Sequence, residues 1–499
     1  MADLETKNSA VATEESGERK VKMRSLALDL VAMGSDEENR MADLKVTKTL
    51  PEGIESKMLY SDIIHIAWPS LVELTLTQLA SMVDLMMVGQ LGPWALTAVG
   101  LTTQPKFLLM TMFMAMNVGA TAMVARYKGA GNQKKADEVL RQALLMTFVL
   151  GCVFAVIGFI AAPWLIQFMG ASEDHVLQGG VDYLRIQMIG LPGLALTSTI
   201  TATLRGVGNS KTAMIYNAMA NIINVFFNYM LIYGNFGAPR MEVAGASLAT
   251  IIGQYCAMFM AFYAVMNGQQ YIILRFRDGF KPNKEEIKKI VDIGAPAMVE
   301  QVVMRIGLII YTRTVAGLGT LPYAVHQVCL NIQSLSFMNG QAFAVSATSL
   351  TGQSLGKKRH DMAQAYTTRT RKLGMCVSIF LGVVFFFFGG QIVALYSGGD
   401  QSLVELGAVI MMFVAVVQPF QSSQLILAGA LRGAGDTKVT AAITFITVLL
   451  VRPALAIFAI NVLGMGLEGA WYALVADQIL RSLLVLLRYN SGAWKRHTM

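Results

Sequence analysis

Apolar stretches of 20 or more residues recur along the chain from Ile63 onward, and few folds can accommodate them. Each stretch is long enough to cross the roughly 30 Å hydrocarbon layer of a membrane as an α-helix. Within that layer a chain satisfies its backbone polar groups only as a helix or in a closed barrel. The stretches are continuous rather than alternating, which favours helices. Charged residues make up only 14% of the chain, well below the quarter typical of soluble domains.

We predict twelve transmembrane helices. Their approximate spans are 61–90, 95–125, 138–164, 178–204, 210–233, 243–267, 287–315, 322–350, 365–392, 403–431, 437–460 and 467–488.

Basic residues are concentrated in the connections that follow helices 2, 4, 6, 8 and 10, whereas the opposite connections contain little beyond Arg240. By the positive-inside rule, this asymmetry predicts a multi-pass protein of the inner (cell) membrane with both termini in the cytoplasm. Trp94, Trp164 and Trp471 then lie near the outer interface, where an aromatic belt is expected. The net charge of +8 therefore reflects membrane orientation, and we expect lipid rather than nucleic acid as the partner of these residues.

The chain divides into five segments. Residues 1–57 are polar and poor in aromatics, so we expect a disordered cytoplasmic tail. A first six-helix lobe follows over 58–267, then a cytoplasmic linker over 268–286 and a second lobe over 287–490. Residues 491–499 form a second cytoplasmic tail. The four cysteines all fall inside apolar runs without metal-type spacing, so we interpret them as packing residues.

An internal repeat links the two lobes at a constant offset of 227 residues. Six helices per copy give both copies the same orientation. The fold class is therefore an all-α membrane protein, with twelve transmembrane helices in two six-helix lobes related by a pseudo-twofold axis along the membrane normal. A central cavity between the lobes is expected to open alternately to each side. The matched positions include Pro69 with Pro296, Glu73 with Glu300, Gly92 with Gly319, Gly129 with Gly356 and Pro192 with Pro419.

The loops that begin at Leu204 and Leu431 share the pattern Leu-Arg-Gly-x-Gly-x-x-Lys. They lack the spacing of a phosphate-binding loop, and no strand precedes them. We interpret them as glycine turns that place basic residues at the cytoplasmic surface. ATP-driven transport therefore finds no support in this motif.

Functional residues are expected where the two copies differ. Asp84 in helix 1 corresponds to Tyr311, and a carboxylate at membrane depth costs roughly 2.5–3.5 kcal/mol on insertion scales. Asn224 and Asn228 of helix 5 correspond to Val451 and Leu455 at the same offset.

The asparagines of helix 5 form one polar stripe, since they recur at spacings of four, three and four residues. Asp84, Asn224, Asn228 and Thr250 can meet in the outer half of the first lobe. Their hard oxygen atoms suit Na⁺ or a proton as the coupling ion, with no other metal and no cofactor. The alternative is that Asp84 is a hydrogen-bonded structural residue and the stripe holds helices together.

Glu73 and Glu300 are equivalent acids in the inner halves of helices 1 and 7, and two interpretations of them stay open. They can face a cavity and neutralise a cationic substrate, or they can pair with buried bases such as Lys106, Arg305 or Arg452 and hold the lobes together. The candidate substrate cavity comprises Glu73, Glu300, Gln78, Asn217, Asn221 and Tyr311.

These features resemble the MATE (multidrug and toxic compound extrusion) family in its bacterial form. The resemblance covers about residues 58–490 and rests on Pro69 and Asp84 followed by Val88-Gly89-Gln90-Leu91-Gly92, on Ala324-Val325-His326-Gln327, and on the paired Leu-Arg-Gly loops.

The resemblance implies export of organic cations and other amphipathic compounds, driven by inward Na⁺ or H⁺. The acid of the family's first lobe maps onto Asp84, its helix 5 polar pair onto Asn224 and Asn228, and a helix 6 hydroxyl onto Thr250. Acids that some members carry near Gln421 and Met304 are missing here, which favours a cation site in the first lobe.

We therefore expect a monomeric, cation-coupled antiporter that exports amphipathic, cationic small molecules by alternating access. A flippase for a lipid-linked precursor is the alternative, but the mixed buried acids and bases do not fit a wide cationic cavity for pyrophosphate. A membrane enzyme is disfavoured because no His, Asp or Cys cluster surrounds His326, the one histidine of the five that is clearly within the membrane. A channel is disfavoured because no ring of identical residues is present.

The start of the chain contains a repeated tetrapeptide, since Met1-Ala2-Asp3-Leu4 recurs as Met41-Ala42-Asp43-Leu44. We hypothesise that Met41 is an alternative or authentic start. An intact-mass measurement on natively expressed protein should then detect a species that begins at Met41, and detection of full-length product alone would refute the hypothesis.

Overall fold

The computed structural model describes residues 54–171, 173–395 and 400–496, without the side chains of Pro93 and Thr320. Of the predicted tail 1–57, residues 1–53 and the status of Met41 lie outside the described residues, whereas its last two residues already belong to the helix that begins at Ser56.

The described residues form twelve long helices and contain no strand, which confirms the predicted all-α class. The first six helices are α1 (Ser56–Gly89), α2 (Pro93–Gly129), α3 (Gln133–Phe168), α4 (Asp174–Gly206), α5 (Ser210–Tyr233) and α6 (Glu242–Met266). The second six are α7 (Lys284–Ala316), α8 (Thr320–Gly356), α9 (His360–Ala394), α10 (Gln401–Gly433), α11 (Thr437–Val462) and α12 (Gly466–Asn490).

Ten of these helices are long and apolar enough to cross a membrane. The two that fall short in composition are α4 and α8, which are nonetheless 33 and 37 residues long. Both bury polar side chains against neighbouring helices, such as Gln187 and Thr199 in α4 and Gln333 and Asn339 in α8. A helix surrounded by other helices presents little surface to lipid, so its sequence can carry more polar residues.

Several helices extend beyond the predicted spans because polar residues cap them outside the apolar stretch. The Asn132 side chain accepts a hydrogen bond from the Lys135 amide at the start of α3. Asn283 caps α7 in the same way, so α7 begins inside the predicted linker 268–286. The predicted tail 491–499 also differs, because Trp494 is buried and its indole N–H donates to the Tyr489 carbonyl.

Helix α11 departs from regular α-helical geometry at two π-helical segments, Phe445–Val451 and Phe458–Val462. Pro453 lies just after the first segment and has no N–H to donate, which interrupts the α-helical hydrogen-bond ladder. The Arg452 amide donates instead to the carbonyl of Thr447, five residues earlier. Each such turn holds one extra residue and rotates the side chains that follow it.

The two lobes interlock through their first helices. The first half of α1, from Leu59 to Ala67, packs against α8, α9 and α10 of the second lobe. Reciprocally, Ile290 and Ile293 of α7 belong to the hydrophobic core of the first lobe. These contacts obey the pseudo-twofold symmetry that the repeat predicts.

The lobes approach most closely at the end of the bundle that carries the basic connections, which we call the basic end. A Cβ atom on Gly129 would lie 1.9 Å from the Gln353 carbonyl oxygen, and one on Gly356 would lie 2.0 Å from that of Arg126. The two glycines are repeat equivalents, so they let α2 and α8 pack backbone against backbone at the basic end. The bundle is therefore closed there.

Replacing Gly129 with Ala should destabilise this closed arrangement, because the new methyl group meets backbone that cannot rotate away. We expect a loss of about 1–3 kcal/mol, measured as a lower thermal unfolding temperature of the purified protein. Gly100→Ala in the same helix is the matched control, since nothing lies within 4 Å of its Cβ position. Equal unfolding temperatures for the two variants would contradict the proposed close contact.

Candidate functional site

Several cavities penetrate the bundle that the described residues form. A first-lobe cavity of about 400 Å³ lies among α1, α2, α4, α5 and α6. A second-lobe cavity of about 380 Å³ lies among α7, α8, α10, α11 and α12. A central cavity of about 180 Å³ lies between the lobes. Its lining consists of six pairs of repeat-equivalent residues, including Thr121 with Thr348 and Arg205 with Arg432, so it sits on the pseudo-twofold axis.

Asp84 lies in the first-lobe cavity beside the asparagines of α5. The buried side-chain amide of Asn228 donates a hydrogen bond to Asp84 Oδ1. The Asn224 side-chain amide is oriented so that both its nitrogen and its oxygen have hydrogen-bond partners. Asn224 Nδ2 then lies 2.8 Å from Asp84 Oδ1, and Asn224 Oδ1 lies 3.2 Å from the Thr250 hydroxyl. The structure thus brings together the four residues that the sequence analysis placed at the cation site.

Local packing explains how these side chains meet. The α5 asparagines face α1 because they share one helix face, and Thr250 faces α5 from α6. Gly253, one turn after Thr250, allows this approach, since a Cβ atom there would lie 2.9 Å from the Ala220 carbonyl oxygen and 3.2 Å from Asn224 Cβ. The close contact between α5 and α6 therefore fixes the depth and direction of the amides.

The inner asparagines also line the first-lobe cavity. Asn217 donates to Glu73 Oε1 at 2.6 Å, and Asn221 donates to the Thr77 hydroxyl at 3.2 Å. The stripe thus joins α5 to α1 along much of its length. This structural role for the inner pair is one of the alternatives left open by the sequence.

Lys106 of α2 lines the same cavity as Asp84, and the sequence analysis did not include it in the cation site. Among the described residues no carboxylate lies within 4.0 Å of its ammonium group, yet its charge acts electrostatically on Asp84. A lysine inside an apolar stretch is itself a functional signal. Lys106 was overlooked because it was considered as a partner for the glutamates.

Glu73 and Glu300 form equivalent buried ion pairs within their own lobes. Arg205 Nη2 lies 2.7 Å from Glu73 Oε2, and Arg432 Nη2 lies 2.8 Å from Glu300 Oε1. The suggested partners Lys106, Arg305 and Arg452 were therefore wrong.

The interpretation of Arg205 and Arg432 as surface residues was also wrong. These two arginines, and not the glutamates, line the central cavity, and each carries its own counter-ion from the same lobe. The ion pairs consequently do not join the lobes.

The remaining members of the predicted substrate cavity take different places. Glu300 lines the second-lobe cavity. Glu73, Gln78 and Tyr311 line none of the three cavities described above. Tyr311 is fully buried, and its hydroxyl donates to the Ala470 carbonyl at 2.7 Å.

The second lobe replaces the Asp84 site with arginines. The Arg452 guanidinium lies 5.6 Å from the ring centroid of Tyr311, the counterpart of Asp84. Both Arg452 and Arg481 form ion pairs with the buried carboxylate of Asp477. Asn224 and Asn228 of α5 are buried. In α11, Arg452 and Ala456 are buried whereas Leu455 is exposed, so the buried face is shifted by one residue. The constant offset of 227 therefore fails within α11.

No group of three or more His, Cys, Asp or Glu side chains that could hold a metal ion occurs in the described parts of the chain. His326 is fully buried between Tyr311 and Trp471, with ring centroids 5.6 Å from each.

Comparisons with known proteins agree with the repeat. The MatE family model matches residues 69–230 and again residues 296–458, and the second stretch is one residue longer than the first. The chain is 27% identical over 439 residues to the "Probable multidrug resistance protein NorM" of Thermotoga maritima, covering 88% of this chain and 94% of that protein. It is 26% identical over 434 residues to the "Uncharacterized transporter YisQ" of Bacillus subtilis, covering 87% and 94%.

Two solved structures have the same fold. One is an outward-facing multidrug resistance MATE family transporter of the MOP superfamily, with a TM-score of 0.82 and 21% identity over 90% of this chain and all of that one. The other is a MOP superfamily transporter from Pyrococcus furiosus, with a TM-score of 0.81 and 21% identity over the same shares.

The Glu73–Arg205 pair provides a test of the buried ion pairs. Arg205→Met should lower the free energy of unfolding by roughly 3–5 kcal/mol, because it leaves the Glu73 carboxylate buried without its counter-ion. Adding Glu73→Gln to the Arg205→Met variant should restore most of the lost free energy of unfolding. Unfolding of the purified protein by denaturant measures both effects, and an Arg205→Met variant as stable as the wild type would contradict the structural role.

Proposed function

Because the chain belongs to the MATE family of transporters, we propose that it is a cation-coupled antiporter that exports amphipathic small molecules by alternating access. The observation that carries this proposal is the Asp84 carboxylate, held by asparagine amides in a cavity of the first lobe. The multidrug resistance proteins to which the chain is similar support export as the direction of transport.

Na⁺ and H⁺ both suit the Asp84 site as coupling ions. A proton neutralises the carboxylate directly. Na⁺ requires several oxygen ligands, and the site offers those of Asp84, Thr250 and the two asparagines once the amides rotate. The side-chain oxygen of Asn228 is already buried without a hydrogen-bond partner. Lys106 in the same cavity attracts Asp84 and repels an entering cation, so it lowers the affinity of the site for the cation.

The coupling ion and the substrate occupy different cavities in this proposal. The first-lobe cavity and the central cavity share no lining residue. A coupling between them must therefore pass through the helices that border both lobes, and α1 is the natural element. Its first half packs on the second lobe, while its second half carries Asp84.

Alternating access then follows from a change in α1 and α5. In the described conformation the basic end is closed by the contacts of Gly129 and Gly356. With the basic end in the cytoplasm, as the distribution of Lys and Arg predicts, this conformation is closed to the cytoplasm, as the state that releases substrate to the outside must be. Cation or proton arrival at Asp84 changes its hydrogen bonds to α5. It drives transport only if the ion and the substrate prefer different conformations.

The proposal also includes the membrane location, the oligomeric state and the partners of the protein. The chain works as a monomer in the inner membrane, with both termini in the cytoplasm and lipid around the exposed apolar helix faces. It has no cofactor beyond the coupling ion, and nucleic acid is not a partner.

Asp84→Asn should abolish ion-driven efflux while folded protein still reaches the membrane. An amide side chain does not take up a proton near neutral pH, and it lacks the negative charge that attracts Na⁺. Proteoliposomes loaded with the fluorescent cation ethidium, with Na⁺ and pH gradients imposed separately, measure efflux and identify the coupling ion. Asp182→Asn is the control with the same chemical change, since the Asp182 carboxylate lies outside the first-lobe cavity and accepts hydrogen bonds from the exposed Gln178 side chain. If the Asp84→Asn variant exported ethidium at the wild-type rate, the proposal would be refuted.

A further inference from the structure

We propose that the second-lobe cavity binds the carboxylate of an amphipathic organic molecule, so that the exported substrates include zwitterions and organic anions. The inference deepens the proposed function, because it names a substrate class for the transporter. It rests on residues of the second lobe alone and is independent of the coupling ion.

The charges around the cavity are predominantly positive. Four arginines line it, whereas Glu300 is the one acid among its lining residues, and Asp477 lies behind two of the arginines. Four positive charges thus face two negative ones. Arginine stays protonated in proteins, so this excess cannot be removed by loss of a proton. The four lining arginines are Arg305, Arg432, Arg452 and Arg481.

The ion pairs leave donor groups unused. Arg452 and Arg481 both contact the same oxygen of Asp477, Oδ2. The Nε atoms of Arg432 and Arg481 are buried and have no hydrogen-bond partner. Since Arg481 is only 3% exposed, water does not readily compensate for its missing contact. An anionic oxygen entering the cavity would satisfy such donors, and a guanidinium binds carboxylates in a two-pronged geometry.

Arg305 is the arginine with the greatest freedom to bind a ligand. Among the described residues no carboxylate lies within 4.0 Å of its guanidinium, which instead stacks on the ring of Phe107, 4.6 Å from the centroid. Phe107 belongs to α2 of the first lobe, so Arg305 spans the interface between the lobes. Its counterpart in the first lobe is the neutral Gln78. The charge is therefore specific to the second-lobe cavity.

The rest of the lining suits the organic part of such a ligand. Glutamine side chains offer amide donors, and Leu308, Leu330 and Phe337 offer apolar surface. Gln341 and Arg432 line both this cavity and the central cavity, so the two cavities adjoin. A volume of about 380 Å³ accommodates a small amphipathic molecule. The second-lobe cavity therefore lies next to the space between the lobes.

The experiment compares two forms of one fluorescent probe, dansylglycine and its methyl ester, binding to the purified full-length protein in neutral-lipid nanodiscs. We expect the wild type to bind the free carboxylate about tenfold more tightly than the ester. Arg305→Gln should weaken dansylglycine binding about tenfold and leave ester binding unchanged. Arg305 has no ion pair, so this substitution leaves no buried acid unpaired and the variant should fold. Arg305→Lys, which keeps the charge, should retain most of the preference.

Arg313→Gln is the matched control, because Arg313 is an exposed arginine on the same helix outside the cavity. It should bind both probes as the wild type does. Equal affinity of the wild type for acid and ester would overturn the proposal, as would an Arg305→Gln variant that weakens both probes alike or neither. The Asp84→Asn variant should keep the preference for the carboxylate. The Arg305 variants therefore test carboxylate binding, whereas the Asp84 variant tests the proposed antiport.

Discussion

A charged side chain inside a helical membrane bundle costs several kcal/mol unless a counter-charge or hydrogen bonds compensate it. This constraint separates the buried ionisable residues of the chain into two groups. Glu73 and Glu300 are held by Arg205 and Arg432 in equivalent positions, as expected of residues that maintain a duplicated fold. Asp84, Lys106 and Arg305 have no oppositely charged group within 4.0 Å among the described residues, and each lines a cavity or stacks at the lobe interface. Amide hydrogen bonds from Asn224 and Asn228 compensate part of the cost of Asp84, and ligand binding is the explanation we propose for the remaining cost of these three residues.

The duplicated fold provides a rigid frame in which those costs can be tolerated. Repeat-equivalent glycines bring α2 and α8 into backbone contact, and each lobe holds the first half of the other lobe's first helix. An interface of this kind has few intermediate arrangements, because a packed backbone contact either forms or separates. Two discrete states of the lobe interface are what alternating access requires. In the proposed mechanism the symmetric elements serve the conformational change, whereas the asymmetric residues determine which ion drives it.

Much of this organisation could be predicted from the sequence. Helix number, the repeat and the meeting of Asp84 with Asn224, Asn228 and Thr250 follow from apolar length, constant offset and helical spacing, all of which are local or periodic properties. The partners of Glu73 and Glu300 did not follow, because Arg205 and Arg432 adjoin glycine turns and resemble surface residues in sequence.

The second-lobe cavity could not be predicted for a different reason. The π-helical segment of α11 adds one residue within a helix, which leaves the apolar pattern intact but turns Arg452 toward Asp477 and Tyr311. A constant offset cannot reveal such a rotation.

The opposite charges of the two lobes have a mechanistic consequence. In the proposed mechanism the Asp84 carboxylate in the first lobe attracts the coupling cation, while the arginines of the second-lobe cavity attract an anionic group of the substrate. The cation and the substrate then bind different residues and do not compete. Coupling between them must therefore arise from a conformational change, because one ligand does not displace the other directly. Arg305 on Phe107 is a direct contact between the two cavities, since one residue lines the second-lobe cavity and the other lines the first. Besides α1, helix α2 would then carry the coupling, because a shift of α2 on ion arrival would move Phe107, alter the position of Arg305 and weaken substrate binding.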